Sequence, residues 1–291
     1  MKPVKVGTFT PSTVLQIAHT QGYFGSAGIE VEEISVHSSP GQFESLEAGL
    51  IDIALTNPDN VIAYAYLSEN PLQRNLDLRI LAAIDRGLGV SLSLAPGVDQ
   101  LDANLTLGVD VSKSGFAICA YALLEKLGFE FGTYKIVDLG STPKRAEALI
   151  KGEISTTILN AGNEIRAAGH GCHIIAEVTD LGPYIGTVAA VIGNPDPSLI
   201  QVSKILTRVC DEILAGEHKE LVCEFAKDRL KLDDAQALEH YEKMLNPKIG
   251  LIRGGMCDME SLETIIRIRS QYFPTTELAN AVRKLPKLLA N

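Results

Sequence analysis

The sequence has no long run of apolar residues and no cluster of basic ones. A membrane-spanning helix needs about 18 to 20 consecutive apolar residues, and no segment of the 291-residue chain approaches that length. Nucleic-acid binding depends on concentrated Lys and Arg. This chain carries 26 basic against 36 acidic residues, a net charge of −10. We therefore expect no membrane span and no nucleic-acid partner.

A secretory leader is also missing, because residues 1–3 lead straight into the strand-like segment 4–9. The cysteines are odd in number and scattered, which is typical of reduced thiols and not of a disulfide framework. They are Cys119, Cys172, Cys210, Cys223 and Cys257. We therefore expect a cytoplasmic location. If a leader has been removed, the alternative is a periplasmic or lipid-anchored protein.

Motifs for cofactors and metals are lacking as well. No GxGxxG or GxxxxGK[ST] motif follows a strand-like segment, and no GxSxG elbow is present. His170, Cys172 and His173 lie close together, but no second cluster follows at the spacing of a zinc site. The sequence predicts no cofactor and no metal.

Strand-like and helix-like segments alternate along the first part of the chain. Segments 4–9, 29–36 and 51–56 have the pattern of strands, and helices are predicted over 12–24 and 42–49. Such alternation is typical of an α/β fold with a mostly parallel sheet flanked by helices. With 46% apolar residues, the chain is long enough to bury two cores.

An internal repeat indicates that the two cores are alike. The segment ESLEAGLIDIALTNPDN at 44–60 resembles EALIKGEISTTILNAGN at 147–163 with a constant offset of 103. Asn57 thereby matches Asn160. The sequence predicts two similar lobes joined by two crossover segments, with the C-terminal helices packing on lobe one.

The polar residues that follow each predicted strand are the ligand-binding candidates. Ligands bind beyond the carboxyl ends of the strands in open parallel sheets, so two facing lobes would line one cleft with these residues. They are Thr10, Ser12, Ser38, Ser39, Asn57, Asp59, Arg86, Ser112, Ser114 and Asn160.

Each candidate also has a purely structural interpretation. Serines before a helix are ordinary N-caps, and Asn-Pro-Asp-Asn at 57–60 is typical turn chemistry. Arg86 either binds an anionic ligand group through its guanidinium or forms a structural pair with Asp85. The repeat keeps both amides in a copy that lacks the proline, and we therefore favour a cleft-facing role for Asn57 and Asn160.

Catalytic residues are less well marked than binding residues. His37 ends a predicted strand at the cleft, and Asp59 and Asp85 follow or end others. These three are weak candidates for proton transfer.

Several of these segments together resemble the type II periplasmic-binding-protein family, in its branch for nitrate, sulfonate, taurine and thiamine-pyrimidine precursors. The resemblance rests on Thr10-Pro11, on Gln21-Gly22-Tyr23-Phe24, on Gly28-Ile29-Glu30-Val31, on LEAGLID at 46–52, and on Leu149-Ile150-Lys151-Gly152. It covers roughly residues 4–195.

The resemblance implies two lobes that close around a small ligand, with lobe two inserted into lobe one. Carried onto this chain, lobe one comprises residues 1–96 and 183–291, and lobe two comprises 97–182. Tyr184, on the return crossing, joins the ligand-binding candidates. An ABC permease partner is implied if the protein is exported, and a homodimer is a further expectation.

Two functions from different classes follow. The first is a binding protein that traps a small anionic or heterocyclic metabolite by hinge closure. The second is a cytosolic enzyme on the same scaffold, of the lyase, decarboxylase or cofactor-pathway dehydratase type.

Overall fold

The computed structural model describes residues 2–102 and 104–289. Ten strands lie within these residues: β1 Val4–Thr8, β2 Val31–Ser35, β3 Ile53–Thr56, β4 Leu78–Asp85, β5 Ser91–Leu94, β6 Thr106–Val109, β7 Lys135–Asp138, β8 Thr156–Leu159, β9 His173–Glu177 and β10 Thr187–Ile192. They form two five-stranded sheets, ordered β2-β1-β3-β10-β4 and β7-β6-β8-β5-β9. The two sheets have the same order of parallel and antiparallel neighbours.

Twelve α-helices flank the sheets in the described residues: α1 Thr13–Thr20, α2 Tyr23–Ser26, α3 Ser39–Glu47, α4 Pro58–Tyr66, α5 Gly115–Lys126, α6 Thr142–Ile150, α7 Asn163–Ala168, α8 Pro197–Leu214, α9 Lys219–Arg229, α10 Asp234–Leu245, α11 Met259–Tyr272 and α12 Thr276–Leu288. We call the first sheet with α1–α4 lobe one, and the second with α5–α7 lobe two. The predicted α/β fold with two similar lobes is confirmed.

The helix predicted over 12–24 is interrupted. Gly22 has a φ of +68°, in the left-handed region that favours glycine, and it separates α1 from α2. The sequence pattern continued through this turn because apolar residues lie on both sides of it.

The internal repeat is visible in the packing of both lobes. A Cβ on Gly7 of β1 would lie 2.6 Å from Ile51 Cδ1, and one on Gly108 of β6 would lie 2.5 Å from Ile154 Cδ1. In each lobe the first strand therefore packs against the isoleucine that precedes the third strand. Glycine is needed at both positions because a side chain would collide with that isoleucine.

The chain crosses between the sheets after β4 and again before β10. The predicted start of lobe two at Gly97 falls after β5, whereas β5 pairs with β8 and β9 in the second sheet. Strand pairing therefore places the start of lobe two earlier in the chain, in the segment that follows Asp85. The sequence placed this boundary late because segment 79–98 has the pattern of two strands around a break, and nothing in it indicates which sheet each strand joins.

The C-terminal helices mainly cover lobe one. Helix α8 packs against α1 and β4, and α12 packs against α4 and β4. Helices α10 and α11 additionally reach lobe two, where they contact α7 and α5 respectively. In the described part of the chain, no helix is both long and apolar enough to cross a membrane.

Candidate functional site

A partly open cavity of about 120 Å³ lies between the lobes. Its walls come from the carboxyl ends of the strands in both lobes, from the two crossings and from the C-terminal segment. Aromatic and aliphatic side chains make up much of the surface, among them Phe9, Leu55, Leu88, Phe116 and Met244. An apolar cavity of roughly 150 Å³ holds one benzene ring. A single ring is therefore the scale of ligand that this space accommodates.

Six of the residues predicted from the sequence line this cavity. Five were ligand-binding candidates, and the sixth, Asp85, was a catalytic candidate. They are Thr10, Ser12, Asn57, Asp85, Ser114 and Asn160.

The other ligand-binding candidates lie outside the cavity lining and have structural contacts. Ser38 caps α3 by accepting from Gly41 N. Arg86 pairs with Asp258 at 3.0 Å, and the Ser112 carbonyl accepts from a tyrosine hydroxyl. Sequence reasoning identified the correct strand ends, but it could not tell which side of each loop faces the cavity.

Of the three catalytic candidates, two are placed away from the cavity. The His37 side chain is exposed and is not part of the lining. Asp59 is buried and accepts two hydrogen bonds from Arg269 of α11, at 2.7 and 2.5 Å. Arg269 also donates to the carbonyl of Lys113 in lobe two. Asp59 therefore helps to tie α11 to both lobes, and Asp85 alone of the three faces the cavity.

The matching amides Asn57 and Asn160 both reach the cavity, but they differ in how firmly they are held. Asn57 donates to the Tyr184 hydroxyl at 2.8 Å and accepts from Asp59 N at 2.8 Å. Asn160 makes longer bonds, accepting from Thr142 at 3.4 Å and donating to Gly87 O at 3.5 Å. Asn57 is thus fixed to the return crossing, whereas Asn160 has weak partners that a ligand can displace.

Hydrogen bonds between the lobes close the cavity on several sides. Asn60 of lobe one accepts from Gly115 N at 3.0 Å, and Asn163 of lobe two donates to the Thr10 hydroxyl at 3.1 Å. These two asparagines match in the repeat, so each lobe contacts the other near the first helix. The structure therefore has the lobes in a closed arrangement.

A second pair of contacts joins the N-termini of α3 and α6 to the opposite lobe. Ser39 N donates to the Asp110 carboxylate at 3.0 Å. Ser141 N donates to the His37 carbonyl at 2.9 Å. Ser39 and His37 therefore contribute to closure through their backbones.

Two charged residues of the lining were missed by sequence reasoning, Asp110 and Arg145. Arg145 lies at the repeat offset of 103 from Gln42, and this match was the signal that could have revealed it. Asp110 follows β6, directly before the loop that carries Ser112 and Ser114. Neither residue lies within the repeated segments 44–60 and 147–163.

Burial changes the ionisation of the charged groups in the cavity. Loss of hydration raises the pKa of Asp85 to about 6, and hydrogen bonds from Thr187 and Gly87 oppose the rise. The same loss lowers the pKa of Arg145 to about 10, although the field of Asp110 opposes it. Arg145 stays cationic near neutral pH, while Asp85 lies near its titration range.

Glu212, Glu217 and His218 form a group whose ligand atoms lie within 4.8 Å of one another. The group lies on α8 and the turn after it, and not in the cavity lining. Glu212 is already bonded by Arg208, Tyr23 and His218. Because these partners occupy the Glu212 oxygens, we interpret the three residues as a structural cluster.

No family model and no curated protein sequence matches the chain. Several solved structures match the chain. A periplasmic nitrate-binding protein from Synechocystis matches with a TM-score of 0.75 and 12% identity, over 99% of this chain and 86% of that chain. An alkanesulfonate-binding protein from Xanthomonas axonopodis, bound to MOPS, matches with a TM-score of 0.74 and 12% identity, over 96% and 97%.

A Candida albicans protein, described as defining a new family with the generic periplasmic-binding-protein fold, matches with a TM-score of 0.70 and 17% identity, over 100% of this chain and 96% of that chain. These likenesses confirm the predicted periplasmic-binding-protein type of fold. At such low identities the likenesses show the backbone fold and do not specify a ligand.

Proposed function

We propose that this chain binds a small metabolite, about one ring in size, in the cavity between its lobes. The observation that carries the proposal is the cavity between the lobes, with polar side chains from both lobes around a largely apolar surface. Small-molecule sites typically combine an apolar wall with a few convergent polar groups. The closed arrangement adds desolvation, which strengthens each polar contact with the ligand.

The comparisons support binding as a class of function, because several structures with this fold are named for the solutes they bind. If the chain is exported, the closed form is the one that an ABC permease would receive. A location in the cytoplasm instead favours a sensor, a carrier or an enzyme with the same cavity.

Asp85 favours the enzyme as the second candidate function. It is a buried carboxyl that faces the cavity, and its pKa of about 6 suits a group that exchanges protons near neutral pH. In that case Asp85 takes or delivers a proton on the bound ring. Incubating a bound compound with the protein and looking for a mass change, lost in Asp85→Asn, separates this candidate from simple binding.

A thermal-shift screen tests the binding proposal directly. Small carboxylates, sulfonates, amines and nitrogen heterocycles are added singly, and a compound that binds the folded state raises Tm. The key variant is Ser114→Phe. Ser114 lines the cavity but does not cap α5 with its side chain, so a phenyl group fills the space without removing a cap.

We expect the shift to vanish in Ser114→Phe and to weaken without vanishing in Ser114→Ala, which keeps the cavity open. A shift that survives Ser114→Phe places the binding elsewhere on the protein and contradicts the proposal.

A further inference from the structure

The charged residues that line the cavity do not balance. Three are present, Asp85, Asp110 and Arg145. With both carboxylates ionised, the lining carries one negative charge in excess. A buried charge is costly unless it is paired and hydrogen-bonded, so each carboxylate needs a partner.

Asp110 and Arg145 lie in each other's field and are both engaged within the protein. The Asp110 carboxylate accepts from Ser39 N at 3.0 Å, and it opposes the lowering of the pKa of Arg145. The Arg145 guanidinium donates to the carbonyls of Gly140 and Ile158, at 2.9 and 3.1 Å. No salt bridge within 4.0 Å joins these two residues in the described part of the chain, so their opposite charges offset one another only through the field, and the charge left over in the lining is negative.

Asp85 has no cationic partner in the part of the chain that the structure describes. No nitrogen of Lys, Arg or His lies within 4.0 Å of its carboxylate. One oxygen accepts from Gly87 N at 2.8 Å, and hydrogen bonding from Thr187 also favours the charged carboxylate. Gly186 packs so closely that a Cβ there would lie 2.6 Å from the same oxygen. The carboxylate is held rigidly between the two crossings, beside the cavity.

We infer that the ligand presents a positively charged or strongly donating N–H group to the Asp85 carboxylate. This inference rests on the proposed function and specifies its ligand class: an amino-substituted nitrogen heterocycle or a comparable small cation, and not an inorganic or sulfonate anion. A charge-assisted hydrogen bond supplies the pairing that the protein lacks. An anion in the same cavity would meet the unpaired carboxylate with like charge.

Lobe two offers groups for the other end of such a ring. The Ser114 hydroxyl and Arg145 Nε are buried and have no hydrogen-bond partner in the described structure. Both can donate to a ring nitrogen or a carbonyl oxygen. A heterocycle with a donor on one edge and an acceptor on another matches these positions, because the donor faces Asp85 and the acceptor faces lobe two.

Three probes that share one ring test the inference. They are 4-aminopyridine, which is cationic at neutral pH, the neutral donor isonicotinamide, and the anion isonicotinate. Affinities are measured by titration calorimetry and thermal shift. We expect 4-aminopyridine to bind most tightly and isonicotinate to bind at least about tenfold more weakly, since hydrogen bonds to charged groups are worth about that factor or more.

The decisive variant is Asp85→Asn, because an amide oxygen still accepts from Gly87 N but carries no charge. It should weaken 4-aminopyridine about tenfold or more and reduce the preference over isonicotinate. Asp228→Asn, an exposed position outside the cavity, removes the same net charge and should leave the three affinities as they are.

Three results would overturn the inference: tighter binding of isonicotinate, loss of 4-aminopyridine binding in Asp110→Asn but not in Asp85→Asn, or no binding of any of the three rings. Ser114→Phe separates this failure from failure of the proposed function. If anions bind and Ser114→Phe abolishes their binding, the cavity is the binding site and only the assigned ligand class is wrong.

Discussion

Gln42 in lobe one and Arg145 in lobe two occupy matching positions of the repeat and hold their helices to the sheet in similar ways. Gln42 donates to the carbonyls of Gly7 and Leu55, both at 3.1 Å. Arg145 donates to the carbonyl of Ile158, which matches Leu55 at the same offset. The two lobes thus share an architecture, but in lobe two a cationic side chain donates these hydrogen bonds.

The helix N-termini show a second difference between the lobes. In lobe one, Ser12 and Ser38 accept from backbone N–H groups of α1 and α3. In lobe two, Ser114 and Ser141 precede α5 and α6 without making a cap bond through their side chains. Lobe one thus satisfies its helix starts internally, whereas lobe two leaves a hydroxyl at the cavity. The repeat is therefore symmetric in its backbone and asymmetric in its chemistry.

The largest expected effect tests whether Gln42 and Arg145 are equivalent supports. Arg145→Met removes the donor to the buried Ile158 carbonyl, to the partly buried Gly140 carbonyl and to the Thr142 hydroxyl, and should cost about 3 kcal/mol of the free energy of unfolding. Gln42→Met leaves two carbonyls and should cost about 2 kcal/mol. Urea unfolding measures both values. A negligible loss in either variant would contradict the supporting role of that residue.

Asp85 lies at the end of a lobe-one strand and should destabilise the unliganded protein. Its pKa is raised to about 6, so folding favours the protonated carboxyl. The group therefore stabilises the fold below its ordinary pKa of about 4, and this contribution is lost as the pH rises through about 6. A shift of about two units corresponds to about 3 kcal/mol at full effect.

Asp85→Asn should remove this dependence and make the unliganded protein about 2 kcal/mol more stable above pH 6. Urea unfolding on both sides of pH 6 checks the sign, with Asp228→Asn as the matched control. If the variant is less stable than the parent at pH 7, the Asp85 carboxylate has a favourable partner after all.

The smallest effect concerns the four serines that precede these helices. Ser12→Ala and Ser38→Ala should each cost about 1 kcal/mol, the usual value of an N-cap. Ser114→Ala and Ser141→Ala should stay within about 0.5 kcal/mol of the parent, which is typical of positions without such a contact. Equal losses in all four variants would remove the asymmetry between the lobes.

The sequence predicted the α/β class, the two lobes and the cleft because these depend on local periodicity and on the repeat. The fate of individual side chains depends on contacts between distant segments. Asp59 is bonded to Arg269, more than 200 residues away, and no local pattern indicates this pairing. The start of lobe two was misplaced because no local pattern in β4 or β5 indicates which sheet each strand joins.

The sequence predicted several residues of the cavity lining but not its charged residues Asp110 and Arg145. Thr10, Ser12 and Asn160 were placed at the cavity by strand-end reasoning, since the loops after parallel strands converge. Asp110 and Arg145 were not, because an acid or a base at a strand or helix end is also common without any function. Whether they face the cavity depends on tertiary packing that the sequence pattern does not specify.

The C-terminal helices bear on how fast the cavity can exchange its contents. Arg269 of α11 holds Asp59 and a lobe-two carbonyl, and Lys243 of α10 holds the buried Glu164 of lobe two at 3.2 Å. Any widening of the cleft has to separate such contacts along with the hydrogen bonds at its rim. Breaking a buried ion pair costs several kcal/mol. We therefore expect the tail that covers lobe one to slow the opening of the cleft, and the residence time of a bound molecule to depend on Arg269 and Lys243 as well as on the cavity lining.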